Sequence, residues 1–280
     1  MIKITSDSTC DLSPAQIREN DISIMPLNVI LGGTTYEDGI DIRPSDIFSY
    51  VEKTGELPKT AARSIAEYEA FFEPFVKAGD TVIHFNISSK SSSSYDFALA
   101  ASKQFEGKVF VIDSHALSSG QGLLVMKATD LKAEGKSAEE IVTICSALRD
   151  KVNTSFIPDQ LNYLYMGGRC SKLSLYGAKI LNIHPLISMK DGALIPEKKY
   201  VGSMLRCMRA YAADLKEKYP SYDKKRCFIT HSSADEGLVE LAKTKVKELF
   251  DFEEIIETVA GSVITGHCGR NTIGILFIAE

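Results

Sequence analysis

The sequence predicts an α/β protein of two domains, and three observations support this prediction. Its 280 residues, 44% of them apolar, can bury a sizeable core and exceed the length of one average domain. In the first half, short runs rich in Ile and Val alternate with segments of helical period, which is typical of βαβ units. From about residue 154 the pattern changes to hairpin-linked strands. We therefore predict a mainly parallel sheet in residues 1–155 and a mixed sheet in residues 156–280.

Four apolar runs predict the strands of the first domain. The last two are short and sharply bounded, as buried parallel strands usually are. The predicted strands are residues 2–5, 22–31, 81–86 and 109–113.

Three helices of the first domain are predicted by Ser-x-x-Glu/Gln capping boxes, in which two side chains satisfy otherwise unpaired backbone N–H groups. The boxes start at Ser13, Ser64 and Ser137. Pro14 stands at the first helical position of its box, where proline is well tolerated. Pro74 should kink or end the helix that starts after Ser64.

The second domain is predicted from a hairpin signal and three further strands. Asp191-Gly192 lies between two apolar runs and favours a type I′ turn. The further strands are residues 226–231, 254–259 and 272–279, and they surround a helix predicted for residues 236–249. A mixed sheet follows from this arrangement.

Charge and composition exclude several classes of function. The net charge is −5 with both signs scattered along the chain, so no basic field predicts a nucleic acid partner. No signal segment and no long apolar run is present, which predicts a cytoplasmic protein without stable membrane insertion. The six cysteines are widely spaced and show no zinc-site spacing, so we expect reduced structural thiols, no metal site and no cofactor.

The most unusual segment is Ile87-Ser-Ser-Lys-Ser-Ser-Ser-Ser-Tyr95, which lies between a predicted strand and a predicted helix. Hydroxyls and unpaired N–H groups at the start of a helix can bind an anion. A solvated serine-rich loop with one capping residue explains the segment equally well.

Two glycine-rich segments could also contribute to a site. Gly167-Gly168-Arg169 lets the backbone approach a ligand and offers a guanidinium to a carboxylate or phosphate. Residues 261–270 place His267 in what we predict to be a flexible loop, where its ring could donate to an oxyanion. Taken alone, a tight turn and an ordinary loop histidine are the better interpretations.

Two other classes of function remain open on these residues. An enzyme, either a hydrolase or a phosphoryl-transfer protein, could use Ser92, Cys268 or Asp7. We favour a turn role for Asp7, and His267 next to Cys268 is a weak pairing because neighbouring side chains point apart. A pure interaction module would need no interior ligand at all.

Short motifs follow one another in a fixed order along nearly the whole chain. They are Ser6-Asp-Ser-Thr9 with Asp11-Leu12, Pro58-Lys-Thr60, the serine segment, Val111-Ile-Asp-Ser114, Leu161-Asn-Tyr-Leu164, Gly167-Gly-Arg169, Pro185, and Gly266-His267 with Gly274. In this order they resemble the DegV family, whose members include the fatty-acid-binding subunit of bacterial fatty acid kinase.

The resemblance implies a fold and a function. It implies two α/β domains with an acyl chain in a tunnel between them, and a carboxylate held by hydroxyl, imidazole and nearby polar groups. We therefore expect a protein that binds a single long-chain fatty acid and presents its carboxylate without catalysing a reaction. A fatty acid kinase subunit is the protein partner that the resemblance implies.

Site residues are transferred from the family by position. Ser92 matches the serine that binds the carboxylate, and His267 matches the histidine of the glycine-rich loop. Thr60 and Arg169 match the family threonine and the arginine of the Gly-Gly-Arg motif. The other predicted ligand-binding residues are Ser93, Ser94, Ala61, Gly168 and Gly266.

The chain departs from the family pattern near each part of this site. Ala61 replaces a serine, and residues 268–270 read Cys-Gly-Arg where Gly-Pro-Gly is usual. In the serine segment, Ser91 and Ser93 replace an apolar residue and a glycine. The basic stretch that engages the kinase subunit in the family is replaced by residues 201–205, which contain no basic side chain.

Overall fold

The structure is a computed structural model that describes residues 1–170 and 183–280. In residues 1–113 the strands and helices are β1 Ile2–Asp7, α1 Pro14–Glu19, β2 Ser23–Met25, β3 Asn28–Leu31, β4 Thr34–Glu37, α2 Pro44–Thr54, β5 Lys59–Ala61, α3 Ile65–Lys77, β6 Thr81–Asn86, α4 Ser94–Ser102 and β7 Val109–Asp113. Beyond them follow α5 Ser119–Ala133, α6 Ala138–Leu148, β8 Val152–Asn153, β9 Ser155–Ile157, α7 Asn162–Met166, β10 Ile183–Lys190, β11 Ala193–Val201, α8 Met204–Lys218, β12 Tyr222–Ser232, α9 Glu236–Leu249, β13 Glu254–Val259, α10 Ser262–Cys268 and β14 Thr272–Ala279.

The first sheet is parallel, in the strand order β2-β1-β6-β7. Its two central strands are aligned with Ile4 opposite Ile83, and their apolar side chains are buried. This confirms the predicted α/β fold with a parallel sheet. The strands β1, β6 and β7 end in Asp7, Asn86 and Asp113, so three polar side chains stand at the carboxyl edge, where open parallel sheets usually bind ligands.

The second sheet is mixed, in the order β11-β10-β9-β14-β12-β13, with β8 also paired to β14. Its strand pairs are antiparallel except β12–β13, which is parallel. Asp191 and Gly192 have φ values of 50° and 78° at the turn between β10 and β11, as a type I′ hairpin requires. The strand β8 belongs to the mixed sheet although it precedes residue 156. The domain boundary between residues 155 and 156 stays a prediction.

A small antiparallel sheet of order β4-β3-β5 was not predicted from the sequence. The single strand expected over residues 22–31 is wrong, because β2 belongs to the parallel sheet and β3 to this third sheet. The break falls at Pro26, which lacks a ladder N–H, and the next N–H, of Leu27, donates to the hydroxyl of Ser8. The third sheet matters for the site because β5 contains Thr60 and Ala61.

The predicted helix starts are found in the structure, whereas one predicted helix end is not. The capping boxes at Ser13, Ser64 and Ser137 are all formed. The helix that contains Pro74 does not end there, since α3 continues to Lys77 and the N–H of Ala78 donates to the Pro74 carbonyl. Proline lacks only its own N–H and keeps its carbonyl as an acceptor, so the final turn can still close with the residues that follow.

The helix α5 lies between the parallel and the mixed sheet and is buried on nearly all sides. Its apolar side chains join one core cluster with Ile4 and Ile83 of the first sheet and with Phe228 and Leu276 of the second. A helix that is buried all round is typical of the centre of a large core. The two sheets are therefore packed through one continuous core.

The flexible loop predicted for residues 261–270 is instead mostly helical. The helix α10 spans Ser262–Cys268, with His267 in its last turn. The N–H groups of Gly261 and Ser262 donate to the carboxylates of Asp11 and Asp38. Because these partners lie more than 200 positions away in the sequence, no local capping pattern announces the helix.

Membrane-spanning helices and metal-binding clusters are both absent from the part of the chain that the structure describes. None of the helices in residues 1–170 and 183–280 has the length and apolar content needed to cross a bilayer. In the same part of the chain, no group of three or more His, Cys, Asp or Glu side chains is arranged to hold a metal ion. The six cysteines are buried and are not paired in disulfides.

Candidate functional site

A cavity of about 540 Å³ lies near the carboxyl edge of the parallel sheet, a size within the usual range of small-molecule sites. Its walls come from β5, the serine segment, the end of α7, the start of β11 and α10. The apolar part of its lining includes Leu27, Ile87, Leu117, Leu194, Val263 and Ile264. The polar part includes Thr60, Lys90, Ser92, Ser93, Arg169 and His267. The cavity therefore offers one polar and one apolar environment to the same ligand.

The two ends of the cavity differ in their exposure to solvent. Ser93 and Arg169 are exposed, whereas Leu117, Ile264 and Cys268 are buried. These three buried side chains also line a second cavity of about 30 Å³, which lies against β12 and β14. The apolar end is thus directed into the protein, and the polar end is directed towards its surface.

Thr60 and His267 form the central polar contact of the cavity. The Thr60 hydroxyl and the His267 ring nitrogen Nε2 are 2.9 Å apart, although the residues lie 207 positions apart in the sequence. Thr60 is held by pairing with Val29 in the third sheet, and His267 is held by α10. Two separate elements therefore bring a hydroxyl and an imidazole to the same wall.

The His267 ring is neutral at pH 7. Burial, together with the nearby Arg169 cation, lowers its pKa to about 4. The other ring nitrogen, Nδ1, is buried and has no hydrogen-bond partner among the described residues. A side chain at Gly167 would come within 2.7 Å of this nitrogen, so a glycine is needed there for the close approach. A neutral imidazole has one N–H donor for a carboxylate or hydroxyl oxygen.

The serine segment is held in place by two carboxylates at the ends of parallel strands. Asp7 accepts hydrogen bonds from the N–H of Ile87 at 2.8 Å and from the side chain of Asn86 at 3.2 Å. Asp113 accepts one from the N–H of Ser89 at 3.2 Å. These contacts explain why Asp7, which sequence analysis assigned to a turn, is buried and structural.

Ser92 lines the cavity, and Ser94 does not. The two hydroxyls are 2.9 Å apart, and the N–H of Ser94 donates to the Ser92 oxygen at 3.2 Å. Ser94 is buried at the start of α4 and contacts Ser92 on the side away from the cavity. At the predicted anion site, the N–H of Ser94 is therefore already bonded to a hydroxyl of the serine segment and is not free for a ligand.

The remaining predicted site residues fall into two groups. Ala61, Ser93 and Arg169 line the cavity beside Thr60 and His267. Gly168 and Gly266 do not line it. Gly168 has a φ of 70° in the turn before Arg169, and a side chain at Gly266 would come within 2.7 Å of Pro58. Both glycines therefore shape the chain next to the cavity rather than contact its interior.

Most of the apolar lining was not identified from the sequence. Leu117, Leu164, Leu194 and Ile264 belong to runs that look like ordinary core, and no motif distinguishes them. Lys90 could have been found, because it is a single cation inside the serine segment and it lines the cavity.

The side chains proposed for an enzyme are poorly suited to nucleophilic chemistry. Burial, with a smaller effect of Asp11, raises the pKa of the Cys268 thiol to about 12, so this thiol is not ionised at pH 7. The Ser92 hydroxyl contacts Ser94 and no imidazole within the described residues. Asp7 is fully buried and already accepts bonds from Thr9, Ile87, Asn86 and Gln121.

Comparison of the sequence with known proteins gives matches over the whole chain. The DegV family model, described as "Uncharacterised protein, DegV family", matches residues 1–280. A DegV domain-containing protein of Clostridium acetobutylicum is 31% identical over 280 residues, covering 100% of this chain and 99% of that protein. A second, of Caldanaerobacter subterraneus, is 30% identical over 277 residues, covering 99% and 98%.

Solved structures match the fold over the same length. A DegV family protein of Thermus thermophilus, described by its fatty acid binding, has a TM-score of 0.92 at 25% identity and covers 100% of this chain and 99% of its own. A stearic acid-binding protein of Eubacterium ventriosum has a TM-score of 0.86 at 27% identity, with coverage of 100% and 98%. The fatty acid binding protein DegV of Bacillus subtilis has a TM-score of 0.86 at 25% identity, with coverage of 100% and 99%.

Proposed function

Because the chain belongs to the DegV family, we propose that it binds one long-chain fatty acid in the 540 Å³ cavity and presents the carboxylate at the polar end. The observation that carries this proposal is the division of one cavity into a polar, solvent-facing end and an apolar, buried end. The fatty acid binding described for the proteins of Thermus thermophilus, Eubacterium ventriosum and Bacillus subtilis supports it.

The carboxylate is best accommodated beside Thr60 and His267. The Thr60–His267 pair keeps one free donor, because one of the two groups donates to the other; the Ser92 hydroxyl supplies a further donor, and Arg169 supplies a positive charge at the rim. A bound carboxylate would in turn raise the pKa of His267, because a nearby anion favours the charged imidazole. Ser93 and Ala61 border the same region.

The acyl chain contributes most of the affinity in this proposal. Burying about fifteen methylenes at about 0.8 kcal/mol each contributes on the order of 12 kcal/mol before the cost of ordering the chain. One polar contact to the head group contributes only about 1 to 3 kcal/mol. The apolar walls therefore determine how tightly the ligand binds, and the polar end determines its direction.

The direct test is native mass spectrometry of the purified protein, followed by solvent extraction and identification of any bound small molecule. We expect one fatty acid per chain and saturable binding when fatty acid is added to delipidated protein. Leu117→Trp should abolish binding because it fills the buried end, whereas Leu99→Trp, at an exposed site on α4, should not. An empty protein that also refuses added fatty acids would favour the enzyme or interaction-module hypotheses instead.

A fatty acid kinase subunit is the partner proposed for the presented carboxylate. The polar end of the cavity, with exposed Ser93 and Arg169, is the part of the site that such a partner could reach. Incubation of the loaded protein with a bacterial fatty acid kinase and ATP should then yield acyl phosphate. No product from loaded protein, with product from a known binding subunit in parallel, would remove the kinase from the proposal.

A further inference from the structure

The N-terminus of α10 is held by two carboxylates from the first half of the chain. Asp11 accepts a hydrogen bond from the N–H of Gly261 at 2.8 Å, and Asp38 accepts one from the N–H of Ser262 at 2.8 Å. A side chain at Gly261 would lie 3.1 Å from Asp11 and 3.3 Å from Asp38, so the two carboxylates meet at this glycine. Negative groups are favourable next to the unpaired N–H groups of a helix start.

Each carboxylate is itself fixed by a second contact. Ser118 donates to Asp11, and Ser8 donates to Asp38 at 2.8 Å. Asp11 and Asp38 are only 6% and 3% exposed, so neither can exchange these partners for water at low cost. Burial raises the pKa of both carboxyls, because removal from water disfavours their charged forms.

One side of α10, from its first turn to its last, forms part of the ligand cavity. Val263, Ile264, His267 and Cys268 line it, and His267 contacts Thr60. The helix has only seven residues, so a shift at its first residue is transmitted to His267 within two turns. Its N-terminus has no side-chain cap of its own, because residue 261 is a glycine.

We propose that Asp11 and Asp38 are positioning residues that fix the His267 ring in the ligand cavity by clamping the first turn of α10. They act through the helix and contact neither the cavity interior nor the ligand. Since the ring is needed for a carboxylate ligand, this role rests on the proposed function, but the position of the ring can be measured without any ligand.

The first measurement is the pKa of His267 in ligand-free protein by NMR titration. Asp38→Ala should raise this pKa from about 4 towards the ordinary value for histidine, because a loosened α10 lets water reach the ring. Loss of a negative charge alone would lower the histidine pKa, so the two effects have opposite signs. Asp38→Asn should leave this pKa unchanged or lower it slightly, since its amide oxygen can still accept the Ser262 N–H while the negative charge is lost.

Asp130→Asn is the matched control. Asp130 is also a poorly exposed carboxylate of the first half, and it pairs with Arg226 of β12 in the second half at 3.2 Å. It therefore links the same two parts of the chain without contacting α10. The control should leave the His267 pKa unchanged even if it lowers the melting temperature.

Ser8→Ala decides the question if Asp38→Ala does not fold, because it keeps the Asp38 carboxylate and removes the hydroxyl that donates to Asp38 and accepts from the Leu27 N–H. A raised His267 pKa in Ser8→Ala supports the proposal. An unchanged or lowered His267 pKa in whichever of Asp38→Ala and Ser8→Ala fold, no higher than in Asp130→Asn, would overturn it.

A second measurement connects the clamp to ligand recognition. It compares Kd for a fatty acid with Kd for the primary alcohol of the same chain length. Asp38→Ala should reduce the preference for the acid by about three- to tenfold. It should cause no further reduction in His267→Ala protein, and an equal further reduction there would contradict action through His267. A protein that binds neither ligand counts against the proposed function alone and leaves the NMR result to decide the clamp.

Discussion

At the scale of single residues, the site depends on one imidazole that stays neutral in a partly buried position. Its pKa of about 4 means that the ring neither repels Arg169 nor attracts an anion by charge at pH 7. In the proposed function, recognition of a carboxylate then depends on hydrogen-bond geometry, and the Thr60 hydroxyl fixes that geometry on one side of the ring. The contact between these two residues is therefore expected to control head-group preference.

Thr60→Val removes the hydroxyl while keeping the shape of the side chain. We expect fatty acid affinity to fall by about 1 kcal/mol, or about fivefold, because one hydrogen bond at the polar end is lost. Affinity for the alcohol of equal chain length should fall less, as measured by isothermal titration calorimetry. The control is Thr143→Val on the exposed face of α6, which should leave both affinities unchanged. Equal losses for acid and alcohol would show that Thr60 acts on the acyl chain instead.

The residues that sequence analysis placed at the site show what kind of signal a sequence can give. Thr60, Ser92, Arg169 and His267 were transferred by motif position, and all four line one cavity. Their roles in binding remain predictions. The apolar lining could not be found in this way, because a Leu that lines a cavity and a Leu in a packed core satisfy the same burial pattern.

At the scale of elements, the serine segment is joined to the turn between β10 and β11. The Ser88 hydroxyl donates to the carbonyl of Gly192 at 2.6 Å, so the first domain and the hairpin of the second meet beside the cavity. Leu194, just past the turn, lines that cavity. The hairpin therefore closes one side of the site, and its stability should be linked to ligand retention.

Gly192→Ala tests this junction. The position has a φ of 78°, and a side chain there would come within 2.7 Å of the Ser88 hydroxyl. Gly79→Ala is a matched control, since Gly79 has a similar φ of 87° but open space around it. Both changes should cost about 1 kcal/mol for backbone strain. Gly192→Ala should cost about 1 to 3 kcal/mol more in chemical denaturation because of the close contact, and it should release fatty acid faster.

The double variant Ser88→Ala Gly192→Ala separates the close contact from the strain. It should recover part of the stability lost in Gly192→Ala, because the hydroxyl that the new methyl group would meet is gone. Equal destabilisation of Gly192→Ala and Gly79→Ala would mean that the Ser88 side chain and the turn move apart to accept the methyl group without loss of stability.

Element predictions succeeded where local signals decide the structure. The helix predicted for residues 236–249 and the three capping boxes rest on neighbouring residues, and the structure confirms them. The break at Pro26 and the helix α10 were missed. The break at Pro26 depends on which sheet each half of residues 22–31 joins. The helix α10 depends on the distant carboxylates of Asp11 and Asp38. Tertiary contacts, which no window of sequence contains, determine both.

At the scale of the whole molecule, buried titratable groups make stability depend on pH in two opposite directions. Burial lowers the pKa of His84 to about 3, so the unfolded chain binds a proton below about pH 6.5 that the folded protein does not bind. This contribution destabilises the fold as the pH falls. Burial raises the pKa values of Asp7, Asp11 and Asp38, so these carboxyls favour the folded protein as the pH falls through their raised pKa values towards the ordinary value of 3.8.

His84→Phe isolates the histidine contribution. The ring lies among Tyr68, Phe71 and Phe72, so an apolar ring fits its surroundings. Between about pH 6 and pH 4, the unfolding free energy of the unmodified protein should change by about 1.4 kcal/mol per pH unit more than that of the variant. Urea denaturation across this range measures the difference. The control Phe72→Leu removes no titratable group, so it should lower the unfolding free energy at every pH and keep the slope of its pH dependence. Equal slopes for all three proteins would contradict a neutral buried His84.

The overall fold could be predicted from the sequence because each sheet type has its own pattern. Short bounded apolar runs predicted the parallel sheet, and the hairpin signal at Asp191-Gly192 predicted the mixed one. The way the two sheets pack on α5 could not be predicted, since that helix shows no polar face that would orient it. The cavity depends on this packing, and its shape is therefore a property of the assembled molecule.

The position of β14 in the mixed sheet has a consequence for how the protein is made. It joins β8 and β9 on one side to β12 on the other, and it is synthesised after every other strand of that sheet. The ribosome adds about 5 to 20 residues per second, so the parallel sheet can form many seconds earlier than the mixed one. Until β14 emerges, the edges of β9 and β12 that pair with it in the finished sheet have no partner strand. The helix α10, which directly precedes β14, then has no completed sheet to pack against. Loading of the proposed fatty acid is consequently expected to follow translation of the second domain, and chaperone dependence should be greatest before β14 has emerged.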